Sequence, residues 1–184
     1  MNVLAISGSL RAASINSAFC RATARLAPTS LQVSVFAGVG DLPLFNPDLE
    51  SIPPESVQAL RAAVDRASAL VIASPEYAHG ISGAMKNTLD WLVSFEGFIH
   101  KPVAVINTSP RAQHAYASLK EILQTMSASI LPEASVTIPL LGTCITEEAM
   151  VASPEVRSQI QSTLLALSAF LYGGGESGPS FPLG

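Results

Sequence analysis

The chain has 184 residues, of which 48% are hydrophobic and 13% are charged, and its formal net charge is −4. Such a chain is long and apolar enough to bury one sizeable core. The small net charge argues against a basic surface for nucleic acid and against a strongly acidic surface for docking a protein redox partner.

The cysteines and the apolar runs bear on the compartment in which the protein works. Cys20 and Cys144 are far apart with no C-x-x-C, so they predict neither a disulfide framework nor a metal site, and we expect a reducing compartment. Cys20 falls opposite the apolar stripe of the first helix and is expected to be exposed. Residues 1–6 follow no cationic segment, their apolar run is too short for a signal peptide, and no later run reaches membrane-spanning length. We therefore expect a cytoplasmic protein without membrane association.

Five apolar runs alternate with five stretches of helical periodicity, which predicts a doubly wound α/β domain. The second run alternates apolar with mostly polar residues, as an edge strand does, and the third run is the most apolar and hence central. These properties favour a five-stranded parallel sheet in the order 2-1-3-4-5 with helices on both faces. The predicted strands are 3–6, 31–36, 69–73, 103–106 and 136–138, and the predicted helices are 15–26, 57–67, 84–93, 116–126 and 154–171.

Two segments lie outside this alternation. Residues 37–54 contain four prolines and two glycines, which predicts a long ordered loop with a role in function or at an interface. Residues 173–184 are mostly glycine, proline and serine with a single charge, and they are predicted to be a disordered tail. The folded domain is therefore predicted to span residues 1–172.

In a sheet of this order, ligands bind at the carboxyl ends of the strands, near the point where the order reverses. The loops after the first, third and fourth strands are therefore expected to converge. The first of them, within residues 6–17, joins a strand to a helix, so its backbone N–H groups and the positive end of the helix dipole favour an anion. Side-chain donors suited to a terminal monophosphate are present on Ser9, Arg11, Ser14, Asn16 and Ser17.

This loop has two alternative interpretations, a nucleotide-binding motif and a capped helix. The motifs that bind nucleotide triphosphates and dinucleotides, G-x-x-x-x-G-K-[ST] and G-x-G-x-x-G, do not occur in it. A serine-capped helix behind a loose loop is the alternative to a phosphate site, because serine and asparagine are ordinary capping residues.

The loop after the third strand has the residue types that a planar heterocycle requires. Pro75 fixes the backbone direction, Tyr77 offers a flat face, and Ser82 begins a helix whose N-terminus suits atoms that become negative on reduction. FMN joins such a plane to a monophosphate. We therefore expect the phosphate of FMN in the first loop, its isoalloxazine at the third loop, and the fourth loop at Ser109 closing over the other side.

Three segments resemble a known family. Residues 8–16 (GSLRAASIN) and 75–91 (PEYAHGISGAMKNTLDW) are similar to the two signatures of the NADPH-dependent FMN reductase family, whose flavodoxin-like members include chromate, quinone and azo-dye reductases. Residues 42–48 (LPLFNPD) resemble a further stretch of that family, so the likeness extends from residue 1 to about residue 138. At Ala78 the chain departs from the asparagine that family members often carry, and its loop after the fourth strand is shorter than theirs.

The resemblance implies a flavodoxin-like, FMN-binding domain in which NADPH or NADH reduces FMN. Electrons would then pass to a small acceptor such as a quinone, a free flavin, an azo compound or a metal oxyanion. It also implies a homodimer or homotetramer. By the resemblance, the phosphate of FMN is bound by Ser9, Arg11, Ser14, Asn16 and Ser17, and the isoalloxazine is lined by Pro75, Glu76, Tyr77 and Ala78.

No side chain is assigned a catalytic role, because the flavin carries the redox chemistry. His79 is either a proton donor or a solvated loop residue, and no metal site is expected. Two other functions are compatible with the fold. A flavodoxin-type carrier would shuttle electrons between proteins without nicotinamide activity, and a non-redox protein would use the same fold to bind a ligand.

Overall fold

Five parallel strands form the centre of the structure. The computed structural model describes residues 1–140, 142 and 144–173. In chain order its helices and strands are β1 (Asn2–Ser7), α1 (Ile15–Arg25), β2 (Gln32–Phe36), α2 (Glu55–Arg66), β3 (Ala69–Ala73), β4 (Glu76–Tyr77), β5 (Gly80–Ile81), α3 (Gly83–Asp90), β6 (Pro102–Ile106), α4 (Gln113–Thr125), β7 (Ser129–Ile130), α5 (Glu147–Ala152) and α6 (Pro154–Gly173).

The strand order of the sheet is β2-β1-β3-β6-β7, and each neighbouring pair is parallel. This confirms the predicted order 2-1-3-4-5. Every residue of β3 is buried, whereas β2 lies at the edge and has no fully buried residue, as the two apolar patterns predicted. Strands β4 and β5 form a separate antiparallel hairpin directly after β3. The order reverses between β1 and β3, which places the expected ligand-binding edge at the carboxyl ends of these two strands.

Each face of the sheet carries its own apolar core. On one face α1 and α6 bury side chains such as Phe19 and Leu164, and on the other α2 and α4 bury side chains such as Leu60 and Leu119. Full burial of a side chain of this size stabilises the fold by roughly 1.5–3 kcal/mol. The prediction of helices on both faces is confirmed.

The short helix α5 was not predicted, and it changes the surroundings of Cys20. Helix α5 packs against α1, and its Met150 belongs to the same buried cluster as Cys20. Cys20 is completely buried, so the expectation of an exposed thiol is wrong.

The fifth strand lies earlier in the chain than predicted. Strand β7 is Ser129–Ile130, and a 3-10 turn over Pro132–Ala134 interrupts the ladder because a proline has no N–H to donate. Of the predicted strand 136–138, Thr137 forms an isolated parallel bridge with Asn107, beyond the end of β6. The predicted segment therefore runs beside β6 but is not a strand.

The loop 37–54 is ordered, as predicted, and is held against α3. It contains two 3-10 turns, and the Asn87 amide and the Trp91 indole N–H both donate to the carbonyl of Pro43, at 2.9 and 2.8 Å. Among the described helices, none has both the length and the apolar character needed to cross a membrane. Helix α6 extends through Gly173, and the rest of the predicted disordered tail, residues 174–184, lies outside the described residues.

Candidate functional site

The loops that follow β1, β3 and β6 line one cleft of about 390 Å³ at the carboxyl edge of the sheet. This volume is within the usual range for a small-molecule site. Eight of the residues singled out from the sequence line it, namely Ser9, Arg11, Ser14, Asn16, Pro75, Glu76, Tyr77 and Ser109. Seven lining residues were not singled out, namely Ala13, Ile15, Ser74, Thr108, Arg111, Ala112 and Leu140.

Gly8 lets the loop after β1 approach the loop after β3 closely. Its N–H donates to the carbonyl of Ala73 at 2.8 Å, and the Ser82 hydroxyl donates to the Gly8 carbonyl. A Cβ atom on Gly8 would lie 2.7 Å from Ser74 Oγ and 2.8 Å from Met85 Cβ, which is closer than such atoms pack. The absence of a side chain at this position therefore fixes the distance between two walls of the cleft.

The N-terminus of α1 opens into the cleft. Ser14 caps the helix in extended conformation, and its Oγ accepts the N–H of Ser17 at 3.1 Å. The other first-turn N–H groups have no partner within the helix, and the helix dipole gives this end a partial positive charge. Arg11 lies exposed beside it and forms no salt bridge with any residue in the described part of the chain. Together these groups make an anion-binding end of the cleft.

Asn16, in the first turn of α1, is hydrogen-bonded to the loop after β6. The hydroxyl of Thr108, in the loop after β6, donates to Asn16 Oδ1 at 2.9 Å, and both side chains are buried. This bond leaves the amide N–H₂ of Asn16 as the group that it can offer to a ligand.

Ser17 and Ala78 do not line the cleft. The Ser17 hydroxyl lies 2.9 Å from the hydroxyl of Ser7 and donates to the carbonyl of Ser9 at 3.4 Å, so it supports the loop from behind. Ala78 and His79 are the two turn residues of the β4–β5 hairpin, with φ angles of 48° and 59°. A two-residue turn with both φ angles positive favours asparagine or glycine, so the alanine at position 78 strains it.

The side chain of Glu76 caps a helix and does not reach for a ligand. Its carboxylate accepts the N–H of Ala115 at 2.9 Å in the first turn of α4, where Ala112 provides no side-chain cap. A carboxylate at this position also complements the positive end of the helix dipole. Glu76 therefore ties the hairpin to α4 and has its backbone available to the cleft.

Two imidazoles join the hairpin to α4 a second time. The rings of His79 and His114 stack with centroids 4.4 Å apart and an interplanar angle of 20°. Neither ring lines the cleft, and the described residues contain no cluster of three or more potential metal-binding side chains.

The loop after β6 closes the third side. Ser109 donates its N–H to Asn107 Oδ1 at 3.1 Å, and its Oγ accepts the N–H of Arg111 at 3.3 Å. Arg111 gives the cleft a second guanidinium. It lies in one of the three loops that were expected to converge, so the sequence already contained the signal for this residue. With the Glu76 carboxylate engaged by α4, the charges that face the cleft favour an anionic ligand.

The model of the family described as NADPH-dependent FMN reductase matches residues 1–141. The chain belongs to this family. It is 34% identical over 129 residues to a quinone reductase of Pseudomonas putida, covering 68% of this chain and 69% of that protein. It is 29% identical over 180 residues to an NAD(P)H-dependent FMN reductase of Pseudomonas aeruginosa, covering 93% and 95%.

A solved structure that is similar to this chain is also described as an NAD(P)H oxidoreductase. FerB, a flavoenzyme NAD(P)H:(acceptor) oxidoreductase from Paracoccus denitrificans, is 28% identical with a TM-score of 0.77, and the match covers 94% of this chain and 97% of that one. This member of the FMN reductase family is accordingly an oxidoreductase with FMN as its cofactor and a reduced nicotinamide as its electron donor.

The cleft of this FMN reductase fits the cofactor by its chemistry. One end presents unpaired helix N–H groups, the Ser9 and Ser14 hydroxyls and Arg11, which suit a phosphomonoester. The other end presents Pro75, Tyr77 and the backbone of Glu76, which suit a flat ring with a polar edge. Gly8 preserves the spacing between them.

Proposed function

We propose that FMN binds in the cleft, with its phosphate at the N-terminus of α1 and its ring between the loops after β3 and β6. The observation that carries this proposal is that one cleft has an anion-binding end beside Arg11 and a flat-sided end beside Tyr77. FMN has the two complementary parts, a phosphate for the anion-binding end and a flat isoalloxazine ring for the end beside Tyr77. The assignment of individual residues follows from the contacts of each side chain.

At the phosphate end, Arg11 provides a charged fork, and Ser9, Ser14 and Asn16 provide neutral donors. Ser17 acts indirectly in this proposal, because its hydroxyl is bonded to Ser7 and Ser9 and shapes the loop that carries Arg11.

At the ring end, Pro75, Glu76 and Tyr77 hold one side, and Ser109 lies on the opposite side. Glu76 contributes through its backbone, since its carboxylate caps α4. Ala78 shapes the turn that positions Tyr77.

FMN held by these residues would supply the redox chemistry, namely acceptance of a hydride from NADPH or NADH and transfer of electrons to a small acceptor. We propose quinones as the acceptor class, because a relative that covers two thirds of the chain is named a quinone reductase. Tyr77 is more than half exposed at the mouth of the cleft, so a flat acceptor can reach it.

We further propose that the protein forms a homodimer or homotetramer in the cytoplasm, where reduced nicotinamides are available. The loop 37–54 supports an interface, because Leu44 and Ile52 are 84% and 82% exposed on it. Large apolar side chains at this exposure favour contact with a second copy.

The test is the visible spectrum of the purified protein loaded with FMN, recorded before and after anaerobic addition of NADPH and, separately, NADH. We expect a bound-flavin band that either donor bleaches and that an added quinone restores. A bound flavin that neither donor reduces would favour a flavodoxin-type electron carrier. A protein that takes up no flavin would overturn the proposal.

A further inference from the structure

A second cavity adjoins the cleft on the other side of the loop after β1. It has a volume of about 530 Å³ and lies between this loop, α1 and the end of β2. Ser9 and Arg11 line both the cleft and this cavity, so the cavity opens directly beside the end of the cleft where we place the phosphate of FMN. The cavity is at the carboxyl edge of the sheet, where sheets of this order bind ligands.

The polar part of this cavity is positively charged. Arg11 and Arg21 both line it, and no acidic side chain is among its lining residues in the described part of the chain. Arg21 donates from Nε to Glu147 at 2.9 Å, which fixes the guanidinium and leaves its two terminal N–H₂ groups for a ligand. Glu147 also pairs with Arg25 at 3.3 Å, so one carboxylate is shared by two arginines. With Arg11 assigned to the phosphate of FMN, the terminal N–H₂ groups of Arg21 are the charged donors that suit a second phosphate in this cavity.

The apolar part of the cavity is a wall at the end of β2. Val35 and Phe36 come from the strand, and Val39 comes from the 3-10 turn that follows it. An aromatic and branched aliphatic surface can bury the face of a purine base. An apolar wall that can bury a base, in the same cavity as the Arg21 guanidinium, matches the chemistry of a phosphorylated nucleoside.

We propose that this cavity binds the phosphorylated adenosine end of NADPH, and that Arg21 contacts the 2′-phosphate that NADH lacks. The proposal rests on the proposed function, since it takes the cleft as the flavin site that the nicotinamide end must reach. In dinucleotide-binding folds an acidic residue on the ribose selects NAD, whereas an arginine accommodates the 2′-phosphate of NADP. Because this cavity is lined by Arg21 and by no acidic residue in the described part of the chain, its lining suits the 2′-phosphate of NADP.

The test measures binding without turnover. FMN-loaded protein is titrated in a calorimeter with adenosine 2′,5′-bisphosphate and, separately, with adenosine 5′-monophosphate, which lacks the 2′-phosphate. We expect the bisphosphate to bind at least tenfold more tightly. Arg21→Ala should remove this preference while the affinities for the monophosphate and for FMN stay unchanged, and Arg21→Lys should keep part of it.

Arg25→Ala is the matched control, because Arg25 pairs with the same Glu147 but does not line the cavity. It should retain the full preference for the bisphosphate. Equal binding of the two nucleotides, equal losses in both alanine variants, or displacement of FMN by the bisphosphate would each overturn the proposal.

The two proposals fail in different ways. Normal FMN binding without a preference for the 2′-phosphate overturns the inference about this cavity alone. A protein that binds no FMN overturns the proposed function, and the inference falls with it.

Discussion

Thr108 donates a hydrogen bond of 2.9 Å to Oδ1 of Asn16, and this bond joins the loop after β6 to the first turn of α1, which follows β1 on the other side of β3. Both residues are buried, so the bond fixes the distance between the proposed phosphate and ring ends of the cleft. A buried polar pair of this kind specifies geometry because breaking it leaves an unpaired acceptor.

Thr108→Val should weaken FMN binding and destabilise the fold. The substitution keeps the shape of the side chain but leaves Asn16 Oδ1 buried without its donor, which costs roughly 1–3 kcal/mol. Urea unfolding measures the stability, and fluorescence titration measures the affinity for FMN. Thr108→Ser restores the hydroxyl and should recover most of the affinity for FMN. If valine and serine behave alike, the bond does not organise the cleft.

Arg11→Ala should weaken FMN binding by roughly 1.5–3 kcal/mol, the range for a hydrogen bond to a charged group. The loss should be specific to the phosphate, because Arg11 lies at the anion-binding end of the cleft. Riboflavin, which has no phosphate, should bind the variant as it binds the wild type. Equal losses for FMN and riboflavin would contradict the assignment of Arg11 to the phosphate.

The sheet and the convergence of the three loops could be predicted because they depend on local patterns. Apolar runs report burial on both faces of a strand, and the order of a doubly wound sheet follows from which runs are edge-like. The exception, β7, is too short to show a pattern and is cut by Pro132.

The contacts within the site could not be predicted in the same way, because each joins residues far apart in the sequence. Glu76 caps α4 at Ala115, and Thr108 bonds Asn16 across 92 positions of the chain. Nothing in the local sequence marks these partners. For Ser17, the local sequence suggests a ligand contact because serines surround this position. In the structure its hydroxyl is instead engaged by the hydroxyl of Ser7.

Gly8→Ala should disrupt the cleft, whereas Gly83→Ala should be tolerated. A Cβ at Gly8 would lie 2.7 Å from Ser74 Oγ, while a Cβ at Gly83 would have no atom within 4 Å. Overpacking of this kind typically costs about 1–3 kcal/mol, and alanine in a helix is favoured over glycine by about 1 kcal/mol. Thermal unfolding and FMN titration of both variants test the difference. Similar behaviour of the two variants would show that close approach at Gly8 is unimportant.

Ala78→Asn should stabilise the β4–β5 hairpin. Ala78 has a φ of 48°, and L-residues pay roughly 1–2 kcal/mol in this region, whereas asparagine adopts it more readily. Ala78→Val places a β-branched side chain in the same conformation and should destabilise the protein. The free energies of unfolding in urea should therefore rank asparagine above alanine and alanine above valine, and a reversed order would show that the turn is not under strain.

Cys20 should make the fold sensitive to alkaline pH. Burial raises the pKa of its thiol from 9.0 to about 12, and the nearby Arg21 offsets this only in part. The unfolded chain releases the thiol proton near pH 9 while the folded chain retains it. The contribution of this group to stability is therefore complete below pH 9 and is lost as the pH rises from 9 towards 12.

Two measurements check this expectation. Between pH 9 and 11, the free energy of unfolding in urea should fall more steeply for the wild type than for Cys20→Ala, which has no thiol at this position. In Cys144→Ala, where Cys20 is the remaining cysteine of the chain, a thiol reagent at pH 8 should react at the rate of unfolding and not at the rate of an exposed thiol. Rapid labelling of the folded Cys144→Ala variant would contradict the burial of Cys20, because a protonated thiol inside the core cannot attack the reagent.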